Sequence, residues 1–227
     1  MKRVKLGSVL KIMHGYAFKS ENYTKKSKYR LVTLGNFQES NNCFQYNESK
    51  ATYYSADFPE DYILKNDDLI LPLTEQTVGL FGNSAFIPYN KDFNFVLNQR
   101  VGKVICDEEK LNKKYAHFLL ATKSIKNQLE ARATGTRQRN ISPKDVYDVT
   151  ANIPDIKEQI TIGEFLYNLE KKQLTNTKII AELESMARLI YNYWFVQFDF
   201  PDENNRPLFS YILERISKPF RWAVLYA

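Results

Sequence analysis

Two arginines, a glutamine and an asparagine crowd the run Ala133-Thr134-Gly135-Thr136-Arg137-Gln138-Arg139-Asn140. Guanidinium groups bind phosphates. Arg, Gln and Asn are also the side chains that can grip a base edge through two hydrogen bonds, Arg on guanine and Gln or Asn on adenine. Three readings of the run are open: solvated surface, a phosphate cradle, or a reader of bases. The next residues, Ser142-Pro143-Lys144-Asp145, have the form of a capping box with proline at the first helical position, so a helical turn anchors the far end. A helix-periodic segment ending at Arg132 anchors the near end, which makes Gly135 to Asn140 a braced polar projection.

Other residues with chemical potential form no comparable set. His14 and His117 lie far apart and have no ligand spacing, so neither is assigned a role, and no metal site is expected. Asn66-Asp67-Asp68 is a polar turn ahead of an apolar strand. Pro59-Glu60-Asp61 with Lys65 resembles a nuclease cluster only in its residue types, and its tyrosine-rich surroundings read as loop. The glycine patterns GxGxxG and GxxxxGK[ST] are absent, as is the Asn-Pro-Pro-aromatic motif with which amino-methyltransferases hold a flipped base. Cys43 and Cys106 are widely separated and read as reduced, buried thiols of an intracellular protein.

The 227 residues carry a net charge of +6, distributed unevenly. Residues 1–50 hold ten basic and three acidic residues, 51–110 five and ten, 111–150 eight and three, and 151–227 nine and ten. Two basic segments therefore flank an acidic one. If the fold brings them together, Lys25, Lys26, Lys28 and Arg30 would join Arg132, Arg137 and Arg139 in one electropositive face suited to a polyanion. No apolar run is long enough for a membrane span, and the N-terminus lacks a leader pattern, so a cytoplasmic location is expected.

The elements that must position these residues are of two kinds. Up to residue 153 the chain alternates short apolar runs with polar turns: 29–37, 68–74, 79–88 and 99–106 read as strands, and 112–132 as one helix packed on the sheet. This is an α+β pattern, a mixed β-sheet with packed helices, and it defines a domain over 1–153. Over 154–200 the character changes to one long helix. Ile162, Leu166, Leu169, Gln173, Asn176, Ile180, Leu183, Ala187, Ile190 and Trp194 recur at alternating steps of four and three, the seam of a coiled coil. A seam of that length demands a partner helix, and its two polar positions are of the kind that set register. Residues 201–227 read as a linker and a short tail.

Four stretches together resemble the specificity subunit of type I restriction-modification systems, in its N-terminal half: VKLGSVLKIMHGYAFKSENY, NDDLILPLTEQTVGLFGNSAFIP with LNQRVGKV, GTRQRNIS, and IPDIKEQITIGEFLYNLE leading to ARLIYNYWFVQFDFPDE. The resemblance implies a target recognition domain that grips one half of a split site on double-stranded DNA. It also implies a spacer helix pairing in an antiparallel coiled coil, and a half-subunit that forms a homodimer or joins another half. The chain itself would be non-catalytic and without a cofactor. S-adenosylmethionine chemistry would belong to a modification (methyltransferase) subunit, and cleavage to a restriction (motor-nuclease) subunit, both docked on this chain. In that frame Lys25, Lys26, Lys28, Arg30, Arg132, Arg137 and Arg139 are candidates for phosphate contacts. Gln76, Gln99, Arg100, Arg137, Gln138 and Asn140 are candidates for base contacts. The competing reading is a protein-interaction adaptor whose first domain does not touch DNA; a small methyltransferase or nuclease is disfavoured by the missing motifs.

Overall fold

The structure is a computed structural model that describes residues 1–37, 42–46 and 48–193. Trp194 and the 201–227 tail lie outside the described residues. The chain divides into two compact units, Met1–Tyr167 and the part from Asn168 onward.

In chain order the strands are β1 (Lys2–Lys5), β2 (Leu10–His14), β3 (Tyr23–Thr24), β4 (Tyr29–Val32), β5 (Tyr53–Tyr54), β6 (Leu69–Pro72), β7 (Thr74–Glu75), β8 (Ala85–Phe86), β9 (Asn94–Leu97), β10 (Val101–Cys106), β11 (Arg139–Asn140) and β12 (Thr150–Ile153). The helices are α1 (Lys113–Leu120), α2 (Lys123–Glu130), α3 (Pro143–Tyr147) and α4 (Ile156–Tyr191). Two four-stranded sheets dominate, β2-β10-β6-β8 and β3-β5-β4-β9, and two-stranded pairs join β1 to β12 and β7 to β11. Pairing is antiparallel except between β4 and β9.

The reason β6 is written as an unbroken apolar run is visible in its neighbours. Successive side chains of a strand point to opposite faces. Leu69 and Leu71 enter a core with Leu120, Ile125, Leu129 and Val146 of the helices, whereas Ile70 enters a second core with Val32, Phe95 and Leu97 of the other sheet. Both faces of β6 are thus covered, so no polar position survives in this strand.

Of the four segments expected as strands, 29–37 forms β4 and a single 3-10 turn, 68–74 forms β6 and runs into β7, and 99–106 contains β10. Segment 79–88 differs: only Ala85–Phe86 is strand, because Gly79 (φ 110°) and Gly82 (φ 85°) turn the chain before it. At Gly82 any Cβ would sit 2.6 Å from the Leu120 carbonyl oxygen.

The single helix expected over 112–132 is two, α1 and α2. Both the backbone N–H and the hydroxyl of Thr122 donate to the Leu119 carbonyl, at 3.1 and 2.8 Å, closing α1 in a tight turn before α2 begins. A threonine hydroxyl that competes for a backbone acceptor favours such a break. The cysteines are half-buried rather than buried, and burial pushes the Cys106 thiol up to about 12. His117 is wholly buried, with Nδ1 2.8 Å from the Ser84 hydroxyl, a packing role.

Helix α4 is fastened to the first unit by its opening turns. Gln159, 1% exposed, donates to the carbonyls of Lys110 (3.1 Å) and Pro154 (3.0 Å) and accepts from the Asn112 N–H (3.0 Å). One turn on, a Cβ at Gly163 would lie 2.8 Å from the Tyr115 nitrogen and 2.9 Å from Asn112 Oδ1. That Oδ1 caps α1 by accepting from Tyr115 N–H at 3.0 Å. Glycine is therefore needed here for close approach, despite its poor helix propensity. Gly163→Ala should push α4 off the α1 cap and cost about 1–3 kcal/mol, the range for overpacking a tight site. A thermal melt followed by circular dichroism checks this, and a midpoint equal to or above the parent's would contradict it.

Candidate functional site

The polar run 133–140 forms a closed loop. Thr134 and Asn140 exchange backbone hydrogen bonds at 3.0 and 2.8 Å, and between them Gly135 takes φ 108°, where a Cβ would fall 2.2 Å from the Gln138 carbonyl oxygen. The far end is held as the capping-box pattern leads one to expect. Ser142 accepts from the Asp145 N–H at 3.3 Å, Asp145 Oδ2 accepts from the Ser142 N–H at 2.7 Å, and Pro143 opens α3.

Beneath this loop lies an interaction between residues 64 apart in sequence. Arg139 pairs opposite Glu75 across β11 and β7, and its guanidinium donates through Nε (2.8 Å) and through a second nitrogen to Glu75 Oε1. The other carboxylate oxygen, Oε2, accepts from the N–H groups of Leu80 (2.9 Å) and Phe81 (3.2 Å). Thr74 donates its hydroxyl to Asn140 Oδ1 at 2.8 Å. Glu75 is 1% exposed, so its charge is tolerable only with this full set of partners. The pair sets the spacing of two loops, 76–79 and 134–140. Lys126 braces the first from behind, donating to Asn83 Oδ1 and, at 3.5 Å, to the Gly79 carbonyl, and burial draws its ammonium below the ordinary lysine value.

A third segment joins them. Leu73 donates its N–H to the Arg100 carbonyl (2.9 Å), and its own carbonyl accepts from the Ile141 N–H (3.0 Å). Through its own backbone Leu73 thus ties both the 99–100 turn and the 134–140 loop to residues 73–76. Gln76, Gln99, Arg100, Arg137 and Asn140 are exposed and Gln138 is partly so, with Gln138 donating to Asn140 Oδ1 at 3.3 Å. Arg137 has no hydrogen bond or ion pair among the described residues. Six candidates drawn from three parts of the sequence therefore share one ridge. Val78, 65% exposed on the 76–79 loop, adds an apolar group that the sequence pattern did not single out.

The remaining basic candidates are placed differently. Arg30 is 1% exposed: it bonds Glu48 at 2.5 Å and lies among the rings of Tyr46, Tyr53 and Phe93, 5.2 to 5.9 Å from their centroids. It is a core cation, which removes it from the set expected to face phosphates. Arg132 is half-buried and donates to the carbonyls of Gln128 (2.8 Å) and Asp148 (3.5 Å), tying the end of α2 to the approach of β12. Arg139 is engaged by Glu75.

Lys25, Lys26 and Lys28 are exposed. Lys28 sits beside the start of β9, where its carbonyl accepts from Asn94 N–H at 2.8 Å, whereas Gln99 lies past the other end of that strand. Five residue steps, most of them in β9, separate Asn94 from Gln99, about 17 Å of extended chain. The single compact basic face expected from the charge pattern is thus split into a lysine cluster and a mixed polar ridge. Glu75 was the residue missed. Its signal was faint, because Glu75 stands among Thr74, Gln76 and Thr77 just after the apolar run 69–73, and nothing local marks it for burial.

Among the described residues no cluster of three or more His, Cys, Asp or Glu could hold a metal ion, and no helix is long and apolar enough to cross a membrane. The family model for the type I restriction modification DNA specificity domain matches residues 1–185. The specificity subunit of the type I restriction enzyme EcoBI of Escherichia coli is 28% identical over 193 residues, covering 84% of this chain and 36% of the relative. The MjaVIII specificity subunit of Methanocaldococcus jannaschii is 27% identical over 203 residues, covering 83% and 44%. This chain therefore spans less than half the length of either relative. Among solved structures, the S subunit of a type I restriction-modification system from M. genitalium superposes with a TM-score of 0.57 at 17% identity, covering 94% of this chain and 48% of that one. A structure described as concerning assembly and conformational transition of the type I R-M system gives 0.55 at 15% identity, covering 83% and 43%. These likenesses place the fold.

Arg139→Ala should leave the Glu75 carboxylate buried without its cation and cost about 3 kcal/mol, while Arg137→Ala should shift stability by less than about 0.5 kcal/mol. Urea denaturation of the two variants checks the contrast, and equal midpoints would refute the bracing role.

Proposed function

Because the chain belongs to the type I restriction modification DNA specificity domain family, we propose that it recognises one half of a bipartite target on double-stranded DNA and serves as a non-catalytic specificity half-subunit. The observation that carries this reading is the ridge formed by Gln76, Gln99, Arg100, Arg137, Gln138 and Asn140. Side chains able to make paired contacts with guanine or adenine project there from a base held by the Glu75–Arg139 pair. Lys25, Lys26 and Lys28, some 17 Å away along β9, are spaced to meet phosphates beyond the groove that the ridge enters. Arg137 sits where either role is open to it. Val78 offers an apolar contact of the kind that a thymine methyl accepts.

The second part of the proposal concerns assembly. Helix α4 is 36 residues long, about 54 Å, and continues past the end of the first unit at Tyr167. Leu169, Ile180, Leu183 and Ile190 are each 49–56% exposed, and every residue from 171 to 185 is exposed. A stripe of that kind is stable in water only when covered. Pairing with a second copy, or with another half-subunit, in an antiparallel coiled coil would cover it and present two recognition domains to the two half-sites. The same assembly would dock the modification and restriction subunits. S-adenosylmethionine chemistry would reside on the modification partner.

Duplex binding should be markedly stronger at ~50 mM than at ~200 mM salt, and Arg137→Ala should weaken it and lower the salt slope by about one counterion without changing the oligomer. Salt-independent binding, or none, would favour an adaptor that does not touch DNA. Leu169→Glu with Leu183→Glu should abolish pairing in sedimentation, and an unchanged oligomer would exclude the α4 seam as the interface.

A further inference from the structure

We propose that two copies of this chain pair through α4 in one antiparallel register, in which Gln173 of each copy lies opposite Asn176 of the other. The inference rests on the proposed α4 pairing and goes beyond it, because the polar positions and the exposed flanks select a single alignment from several.

Along the seam the steps of four and three give two interleaved sets of positions, and in an antiparallel pair each member of one set faces a member of the other. Setting Gln173 opposite Asn176 of the second copy fixes all other layers. Leu169 then meets Ile180, Leu166 meets Leu183, and Ile162 meets Ala187. The two-fold axis passes between residues 174 and 175. Eight layers result, spanning about 38 Å between residues 162 and 187. The two central layers are amide against amide, each side chain offering both a donor and an acceptor to the other.

Sliding the helices by one heptad destroys this match. In one direction Gln173 meets Leu183 and Asn176 meets Ile180; in the other they meet Leu169 and Leu166. Either slip buries four amides against apolar side chains with no partner, which is the means by which a polar seam position selects register.

The flanks agree with the same alignment. Phe165 is 63% exposed and Ile179 51% exposed, yet neither lies on the seam itself. In the proposed register Phe165 falls beside Met186 of the second copy and Ile179 beside the aliphatic stem of Lys172. Glu170 falls beside Thr177, so no like charges face each other.

Polar layers alone would also form in a parallel pair, Gln173 on Gln173 and Asn176 on Asn176. Two observations oppose that orientation. A parallel pair stacks Ala187 on Ala187 and leaves the layer underfilled, whereas the antiparallel pair sets it against the larger Ile162. The opening turns of α4 are also sheathed by their own first unit, through the buried Gln159 and Gly163 against the α1 cap. Parallel helices would force two such sheaths together at one end, and antiparallel helices keep them at opposite ends.

The test uses the full chain carrying Leu166→Cys or Leu183→Cys, oxidised separately and as a mixture, with the parent chain setting the background from Cys43 and Cys106. The mixture should yield the 166–183 mixed disulfide at least tenfold above either variant alone. Self-linking of each variant alone would establish a parallel pair, and linkage of Leu166→Cys to Ile190→Cys would establish the slipped register; either overturns the proposal. Sedimentation of the parent separates the two levels of failure. A dimer without the 166–183 link rejects the register but keeps the pairing, and a monomer rejects both. In a Gln173→Leu, Asn176→Leu background the 166–190 link should appear beside the 166–183 link. Its continued absence there would show that the polar layers do not select the register.

Discussion

A carboxylate with 1% exposure must be charge-paired and hydrogen-bonded on both oxygens, and Glu75 meets that condition by reaching into two separate loops. One oxygen takes the Arg139 guanidinium and the other takes two N–H groups at the start of the turn after residue 79. The arrangement converts an electrostatic requirement into a geometric one. If the loops at 76–79 and 134–140 moved apart, a buried charge would lose its partner. Exposed side chains on those loops are thereby held at set spacings without themselves being buried. Reading a base edge needs that combination, since an amide or guanidinium must stay solvated until contact and yet be aimed beforehand.

The central sheet supplies the platform. β6 is buried on both faces, between the helices on one side and the β3-β5-β4-β9 sheet on the other, and Val101 and Gly102 at the start of β10 are buried beside it. At their ends, where Leu73 bonds Arg100 and Ile141, the packed core passes directly into the ridge. Arg30 shows the same logic inverted. Its cation faces three aromatic rings and one glutamate, and it stabilises the second sheet instead of meeting solvent.

Helix α4 combines two opposite packing demands. Over its first two turns it is pressed so closely on the α1 cap that only glycine fits at 163, whereas from 171 to 185 every residue is exposed. The change of environment falls within the seam, which begins at Ile162 inside the first unit and runs on past Tyr167. Beyond the first unit Leu169, Ile180, Leu183 and Ile190 are each about half exposed among the described residues.

Much of this was written in the residues themselves. Period-two burial, the capping box at Ser142 and Asp145, the seam of α4 and the family resemblance all depend on neighbours within a few positions or on ordered motifs, and these survive in a linear string. Thr122 breaking the 112–132 helix was a local signal too, but a weak one that the apolar periodicity on either side obscured. What the string could not contain is pairing across distance. Arg30 and Arg137 are the same residue type in similarly basic surroundings, and only tertiary contacts make one a core cation and leave the other exposed. Arg139 becomes a brace because β11 lies against β7, bringing together residues 64 apart. The lysines at 25–28 part from the ridge because β9 runs between them. Local free-energy preferences determined the elements and their faces. Which charges meet solvent and which meet each other was decided by the long-range packing that sets the dielectric around each one.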